Sequence, residues 1–246
     1  MGGVAAGVVA LAIGAFSSVG LARADEPPGW VADPKTHCRI WNPNPQPDES
    51  IAWSGACQNG LAQGPGVLQF FKHGAPTDRM EGEYRDGKLN GRGLTVYQGG
   101  KRLEGEYRDG VLNGRVIIVS PNGERFDGQY VDGQANGKGK SIAADGSRYE
   151  GEFRAGMKNG QGTFIDADGT RYDGEWSNDR RDGHGVFIWP DGRRYDGEWS
   201  DGRPDGPGTY WNLRGETFTG DWDDGCLETD TAYAVVFRTM ESCGFE

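Results

Sequence analysis

Histidine and cysteine are scarce in this chain. Its 246 residues include three histidines, His37, His73 and His184, and four cysteines, none of which forms a Cys-x-x-Cys pair. This supply disfavours a histidine-based metal or catalytic centre and a zinc or thioredoxin-like site. The sequence also lacks a Walker A phosphate-binding motif and a nucleophile elbow. We therefore expect a protein that is not an enzyme and needs no cofactor.

Positive charge is also in short supply. Lys and Arg together number 26 against 37 Asp and Glu, which gives a formal net charge of −11. So acidic a chain is a poor candidate for binding nucleic acid or an anionic membrane by charge alone. We expect no nucleic-acid partner and disfavour anionic membrane lipid as a partner.

Glycine, in contrast, is abundant. The chain has 43 Gly, where an average protein of this length has roughly 17. A mostly helical protein is excluded, because each glycine inside a helix costs about 1 kcal/mol relative to alanine. Collagen is excluded because glycine does not recur strictly at every third position. An aromatic content of 11% argues against disorder.

The first 24 residues have the layout of a secretory signal peptide. Residues 4–19 are uncharged and small or apolar, and Ala22-Arg23-Ala24 forms a small-x-small cleavage site. No Lys or Arg precedes the apolar run, which departs from the usual pattern. The alternative is an uncleaved membrane anchor, since about 20 residues span a bilayer. We favour cleavage near Ala24 and export to the periplasm, the cell envelope or the extracellular space.

The four cysteines lie in two clusters near the ends of the exported chain, and they allow three connectivities. Pairing within each cluster, Cys38 with Cys57 and Cys226 with Cys243, closes two short loops. Disulfides agree with export, and the alternative is four unpaired thiols in a reducing compartment. We favour the two local disulfides.

A 23-residue repeat fills most of the remaining chain. Six complete units run from Met80 to Thr217, a truncated unit starts at Phe218, and an earlier copy starts at Trp53. A constant period of this length indicates a repeat architecture. The complete units start at Met80, Leu103, Phe126, Tyr149, Tyr172 and Tyr195.

Each unit has the pattern of a β-hairpin. In residues 148–153, large or glycine positions alternate with charged ones, as in a strand with two different faces. A glycine-rich connection, residues 155–160, leads to a second strand at 163–165, and Asp168-Gly169 closes the unit. Asp-Gly is a strong hairpin signal, because both residues of a type I′ turn need positive φ. The sequence predicts an all-β fold: an elongated, single-layer antiparallel meander of tandem 23-residue hairpins.

The block Tyr-Glu-Gly-Glu-Phe at 149–153, followed by Asn-Gly-x-Gly at 159–162, resembles the membrane occupation and recognition nexus (MORN) repeat. The resemblance covers about residues 53–225, with departures at Asp179 and Val116, where glycine is expected. It implies a single-layer β scaffold used for protein association, sometimes for lipid binding and often for dimerisation, without catalytic activity of its own. The domain organisation is then a signal peptide (1–24), a Pro-rich N-terminal cap (25–52), the repeat array (53–225) and a C-terminal cap (226–246) in which 233–237 form a closing strand.

Glycine occupies the centre of each first strand, between two large side chains on one face. Because glycine has no Cβ, flanking rings can lie flat on the backbone and be buried there. These structural glycines are Gly82, Gly105, Gly128, Gly151, Gly174, Gly197 and Gly220.

Aromatic residues recur in columns on this same face. We favour a core role for them, since a single sheet has no other core. The alternative is a stacking platform for a glycan or peptide, strongest at the Trp176–Trp199–Trp222 end. The candidate binding residues are Tyr84, Tyr107, Tyr130, Phe153, Trp176, Trp199 and Trp222.

The opposite face carries acidic pairs such as Glu150 and Glu152, with an arginine column on the same side. We favour a solvated, largely self-compensated charge ladder over an acidic strip for a cationic partner or a divalent cation. Asp166-x-Asp168-Gly169 is similar to the start of a calcium loop, but a hairpin turn explains it better. We expect no metal site.

Together these features predict an exported, non-catalytic repeat scaffold that binds another protein or a second copy of itself. The alternative function is a cell-envelope glycan-binding module that uses the aromatic face. Peripheral lipid binding comes third, because the acidic charge opposes it.

Overall fold

The computed structural model describes residues 29–245, and the predicted signal peptide lies outside the described residues. Between these limits the chain forms twenty β-strands and one short 3-10 helix, Glu241–Cys243. None of its helices within 29–245 is long and apolar enough to span a membrane.

The strands fall into three groups along the chain. The N-terminal strands are β1 (Trp30–Ala32), β2 (Arg39–Trp41), β3 (Glu49–Trp53) and β4 (Ala56–Gln58). The repeat strands are β5 (Leu61–Lys72), β6 (Ala75–Arg85), β7 (Lys88–Val96), β8 (Arg102–Arg108), β9 (Val111–Val119), β10 (Arg125–Val131), β11 (Gln134–Ile142), β12 (Arg148–Arg154), β13 (Met157–Ile165), β14 (Arg171–Ser177), β15 (Arg180–Ile188), β16 (Arg194–Ser200), β17 (Arg203–Trp211) and β18 (Thr217–Trp222). The C-terminal strands are β19 (Cys226–Glu228) and β20 (Tyr233–Val235).

Strands β5 to β18 pair in chain order, each antiparallel to the next, and form one long meander. At its start β3 and β4 both pair with β5, while β2 contacts β5 through one parallel pairing, Arg39 with Leu61. The prediction of an all-β, single-layer antiparallel meander is confirmed.

Two kinds of turn alternate along the meander. Within a unit, two residues with positive φ join the strands, such as Asp109 (φ 52°) and Gly110 (φ 85°), which is the type I′ combination. Between units, only the glycine of Asp168-Gly169 has positive φ, and the Gly169 N–H donates to the Asp166 carbonyl. The expectation that both residues of this pair adopt positive φ is wrong, because they belong to a longer loop.

The second strand of each unit starts earlier than the sequence suggests. Strand β13 begins at Met157, directly after a two-residue turn, so the predicted connection at 155–160 is mostly strand. Within it, residues 159–161 all lie opposite Glu152, and Gly160 has a φ of 76°. This irregularity is a β-bulge, which lets the Asn-Gly pair lie inside a strand.

The central glycines of neighbouring strands pair with one another in a row across the sheet. Gly151, for example, pairs with Gly139 on one side and Gly162 on the other. The row runs through Gly66, Gly82, Gly93, Gly105, Val116, Gly128, Gly139, Gly151, Gly162, Gly174, Gly185, Gly197, Gly208 and Gly220.

Side chains occupy the space above this row. A Cβ added at Gly185 would lie 2.5 Å from Cζ of Tyr172, whose ring covers the glycine. Rings do not cover every such glycine: leucines lie over Gly82, Gly105 and Gly220. Val116, the one non-glycine in the row, is fully buried beside Gly105, where Leu112 and not an aromatic ring lies over the glycine.

The two ends of the sheet differ from the repeats. The structure joins Cys38 to Cys57 and Cys226 to Cys243, so the favoured local pairing is confirmed. The predicted closing strand at 233–237 is only partly formed. It ends at Val235 and pairs with β19 in a separate hairpin, since the Val236 N–H donates to Gly225 and Phe237 adopts a φ of 61°.

Candidate interaction surface

The seven candidate binding residues share one face of the sheet, and six of them are less than a tenth exposed. Only Tyr130 is half-buried. A covered ring offers no face for a ligand to stack on. The six buried residues, Tyr84, Tyr107, Phe153, Trp176, Trp199 and Trp222, are therefore core residues rather than a stacking platform.

The tyrosine column is fixed by one repeated hydrogen bond. Each ring lies along its own strand, and its hydroxyl donates to the backbone carbonyl three residues later. For Tyr172 the acceptor is the Glu175 carbonyl, at 2.9 Å. Burial raises the pKa of the Tyr172 hydroxyl well above its usual value. The same bond forms at Tyr149 and at Tyr195.

The tryptophan column links each unit to the one before it. Trp199 Nε1 donates to the Gly185 carbonyl at 3.0 Å, and its ring meets the Tyr172 ring edge-on at 5.3 Å. Equivalent bonds join Trp176 to Gly162 and Trp222 to Gly208. Since each tryptophan contacts the preceding tyrosine, the rings form a continuous core along the later units.

A third column, which sequence analysis missed, lies over these rings. Its residues lie at the start of the second strand of each unit, and their chemistry changes from unit to unit along the sheet. In the two units that start at Tyr149 and Tyr172, it places cations against the aromatic core. Its members are Leu89, Leu112, Ala135, Lys158, Arg181, Pro204 and Leu227.

The Arg181 guanidinium lies in a closed aromatic cage. Its Cζ is 4.4 Å from the centroid of Trp199, 4.9 Å from Phe187 and 5.8 Å from Tyr172, and Phe237 of the C-terminal cap closes the cage at 4.7 Å. One Nη donates to the Gly202 carbonyl at 2.7 Å. Loss of water on burial lowers the pKa of Arg181 to about 10. We call this set of four rings the Arg181 cage.

The Lys158 ammonium lies over three rings in the preceding unit. Its Nζ is 5.0 Å from the centroid of Trp176, 5.1 Å from Phe164 and 5.6 Å from Tyr149. Burial lowers the pKa of Lys158, and the nearby Asp179 carboxylate opposes that shift. We call these four residues the Lys158 patch.

The opposite, polar face carries a groove of about 900 Å³ that extends over the four units starting at Leu103, Phe126, Tyr149 and Tyr172. Charged side chains line it in pairs, with Arg115 at 3.0 Å from Asp127 and Lys140 at 2.8 Å from Glu150. The hydrogen bond from Arg115 lowers the pKa of the Asp127 carboxyl. These pairs agree with the interpretation of a self-compensated charge ladder.

The possible calcium loop at Asp166 is a turn. Asp166 and Asp168 accept backbone hydrogen bonds from Ala167 and Thr170, both at 2.7 Å. In the part of the chain that the structure describes, no group of three or more His, Cys, Asp or Glu residues is arranged to hold a metal ion.

A comparison with protein families identifies the family of the chain. The profile of the MORN repeat matches seven segments that together make up more than half of it: residues 58–74, 81–102, 104–125, 126–148, 149–171, 172–193 and 195–212. This chain belongs to the MORN repeat family. From residue 81 onward each matched segment follows one hairpin unit of the structure, whereas the segment 58–74 holds β5 and only the last residue of β4.

Solved structures provide a second comparison. The MORN repeat chain is 10% identical to the TCP domain of Drosophila melanogaster SAS-4, with a TM-score of 0.37, covering 76% of this chain and 99% of that one. It is 15% identical to the TCP10 domain of Danio rerio CPAP, with a TM-score of 0.23, covering 72% and 98%. No curated protein sequence was found to match.

Proposed function

We propose that this MORN repeat protein is an exported, non-catalytic scaffold that binds another protein or a second copy of itself. The observation that carries the proposal is the single sheet from β5 to β18, whose faces extend across every unit. In repeat arrays each unit contacts only its neighbours, so the array presents a long surface to partners.

Export is supported by the two disulfides, one at each end of the array. Such bonds persist in oxidising compartments and are rare in the cytosol. The signal-peptide pattern of residues 1–24 points the same way.

Export is tested by expressing the complete chain in its source organism and fractionating the cells. We expect a processed protein outside the cytosol, with an N-terminus at Asp25 and both disulfides formed, as measured by intact-mass spectrometry with and without reduction. An unprocessed chain in the cytosol with four free thiols would refute export, and an unprocessed chain in the membrane would support the anchor.

Binding is tested with the processed protein at two levels. Light scattering coupled to size-exclusion chromatography measures self-association. Affinity capture from the same cell fraction, with elution by an excess of the free protein, measures specific binding of another protein. A strictly monomeric chain that captures nothing competed by its free form would refute the scaffold function.

The buried rings do not favour glycan binding, so we carry that alternative no further. Lipid binding has no supporting observation beyond the family name, and the net charge of −11 opposes attraction to anionic headgroups.

A further inference from the structure

The Arg181 cage and the Lys158 patch are the same site in two successive repeats. Tyr172, Arg181, Phe187 and Trp199 each lie 23 residues after their counterparts Tyr149, Lys158, Phe164 and Trp176. In both sites a cation lies within 6 Å of three ring centroids. The two sites differ in what covers them.

Phe237 of the C-terminal cap covers the Arg181 cage. Its ring lies 5.0 Å from Phe187 and 5.9 Å from Trp199, and it contacts the guanidinium as well. The Cys226–Cys243 disulfide closes the loop of the cap that carries Phe237. Phe187 is consequently only 7% exposed.

No such ring covers the Lys158 patch in the region that the structure describes. Phe164, the counterpart of Phe187, is half-buried instead of buried. Trp189, which lies beside Phe237, is replaced by the exposed Asp166 at the equivalent position. Phe164 and Lys158 are therefore the accessible members of the patch, whereas Tyr149 and Trp176 are buried. The patch lacks the aromatic cover that its copy carries elsewhere in the same molecule.

The cation of the patch also has free bonding capacity. Arg181 donates to the Gly202 carbonyl, whereas the Asp179 carboxylate beside Lys158 accepts from the Lys158 backbone N–H rather than from Nζ. Within residues 29–245, Lys158 Nζ makes no hydrogen bond or ion pair. An incoming chain that supplies a carbonyl or carboxylate oxygen would satisfy this donor.

We propose that the Lys158 patch binds an aromatic side chain of a partner protein, in the way that the Arg181 cage binds Phe237. The partner presents this ring on an extended segment, with a backbone carbonyl or carboxylate beside it for Lys158 Nζ. Aromatic contacts stabilise a complex beyond the area they bury, and a cation under the ring adds to this. The inference rests on the proposed scaffold function and names the chemistry of its partner.

The test uses the full chain labelled with 5-fluorotryptophan and the protein's own ring donor as a probe. The probe is the capped pentapeptide Ala-Val-Val-Phe-Arg, which copies residues 234–238. Fluorine NMR reports Trp176 in the patch and Trp199 in the cage, with resonances assigned from single tryptophan-to-phenylalanine variants. A second pentapeptide with alanine in place of phenylalanine is the control.

We expect the probe to shift the Trp176 resonance saturably and to leave Trp199 unchanged, because Phe237 already fills the cage. The Phe237→Ala variant opens the cage, so Trp199 should then shift as well. The alanine peptide should bind about tenfold more weakly, the factor that 1.4 kcal/mol represents. Equal shifts with both peptides, or no Trp176 shift at millimolar probe, would overturn the inference.

The matched variant copies the preceding repeat. Lys158→Ala with Phe164→Ser reproduces Ala135 and Ser141, which the same fold already accommodates. It should abolish the Trp176 shift, whereas Gln161→Ala, on the polar face of the same strand, should retain it. If a partner captured by the parent chain is captured equally by the double variant, the patch inference fails while the scaffold function stands. If no partner is captured and the chain stays monomeric, the scaffold function itself fails.

Discussion

Replacing one glycine of the central row tests how the core of this sheet is built. In Gly185→Ala the new Cβ would lie 2.5 Å from Cζ and 2.6 Å from Cε2 of Tyr172. Carbon atoms pack favourably at about 3.5–4.0 Å, so the ring must move by roughly 1 Å. Tyr172 is only 1% exposed, and the displacement will disturb its whole contact surface.

The expected loss of stability follows from the burial and the hydrogen bond that the Tyr172 ring loses. A tyrosine buries roughly 150–250 Å², so losing all of that burial would cost about 4–6 kcal/mol. A ring that shifts without leaving its site incurs a typical overpacking cost of about 1–3 kcal/mol. Its hydrogen bond to the Glu175 carbonyl adds about 1 kcal/mol if it breaks. We expect Gly185→Ala to lower the free energy of unfolding by about 3 kcal/mol.

The assay is urea unfolding followed by tryptophan fluorescence, arranged as a double-mutant cycle. On a Tyr172→Leu background the alanine should cost little, because Leu103 and Val116 occupy the equivalent positions in another repeat, where the fold accepts a side chain larger than alanine. The coupling energy should reach about 1–3 kcal/mol. Gly99→Ala is the control, since a Cβ there has no neighbour within 4 Å. If Gly185→Ala and Gly99→Ala have equal effects, the proposed role of the glycine row is wrong.

Three further predictions concern single residues. Ala155 has a left-handed φ of 50°, so Ala155→Gly should raise the free energy of unfolding by about 1 kcal/mol in urea; a loss of stability would contradict this. The buried Tyr84 hydroxyl has no hydrogen-bond partner within residues 29–245, so Tyr84→Phe should leave the free energy of unfolding unchanged or raise it. Tyr172→Phe removes a hydrogen bond and should lower it by about 1 kcal/mol. The opposite order of the two variants in urea unfolding would refute this prediction. Burial raises the pKa of Tyr107 to about 12, so its contribution to stability is complete below pH 10 and is lost as pH rises through 12, by about 3 kcal/mol in all. The difference in absorbance at 295 nm between the parent and Tyr107→Phe should place its ionisation near pH 12 in the folded protein; ionisation near pH 10 would contradict this.

The period and the alternation of the sequence predicted the meander and its two faces because both depend on local strand geometry. Tyr149 and Phe153 are buried, and Arg148, Glu150 and Glu152 are exposed, as the alternation requires. The turns were harder to predict. Ala155-Gly156 forms a two-residue turn without an Asn-Gly or Asp-Gly signal. Asp109-Gly110 forms the same turn with that signal, whereas Asp168-Gly169 carries the signal and lies in a longer loop. The type of turn depends on strand pairing over the whole hairpin, and a dipeptide alone does not specify that pairing.

The column that includes Lys158 and Arg181 escaped prediction for a different reason. Its members range from leucine to arginine, so no shared chemistry marks the position as one that covers the rings. The contact of Phe237 with Arg181 also joins distant parts of the chain, and it depends on how the C-terminal cap folds back. Such contacts become visible only when the packed structure is known.

Site-specific photo-crosslinking in the source organism tests the central claim most directly. A benzoylphenylalanine placed at position 164 reports on the Lys158 patch, and one at position 161 reports on the polar face of the same strand. The account predicts one discrete crosslinked product, with another protein or a second copy, from position 164 and none of that product from position 161, with Lys158→Ala reducing the yield. A chain that crosslinks to nothing at position 164, or equally from both positions, would contradict recognition through this surface.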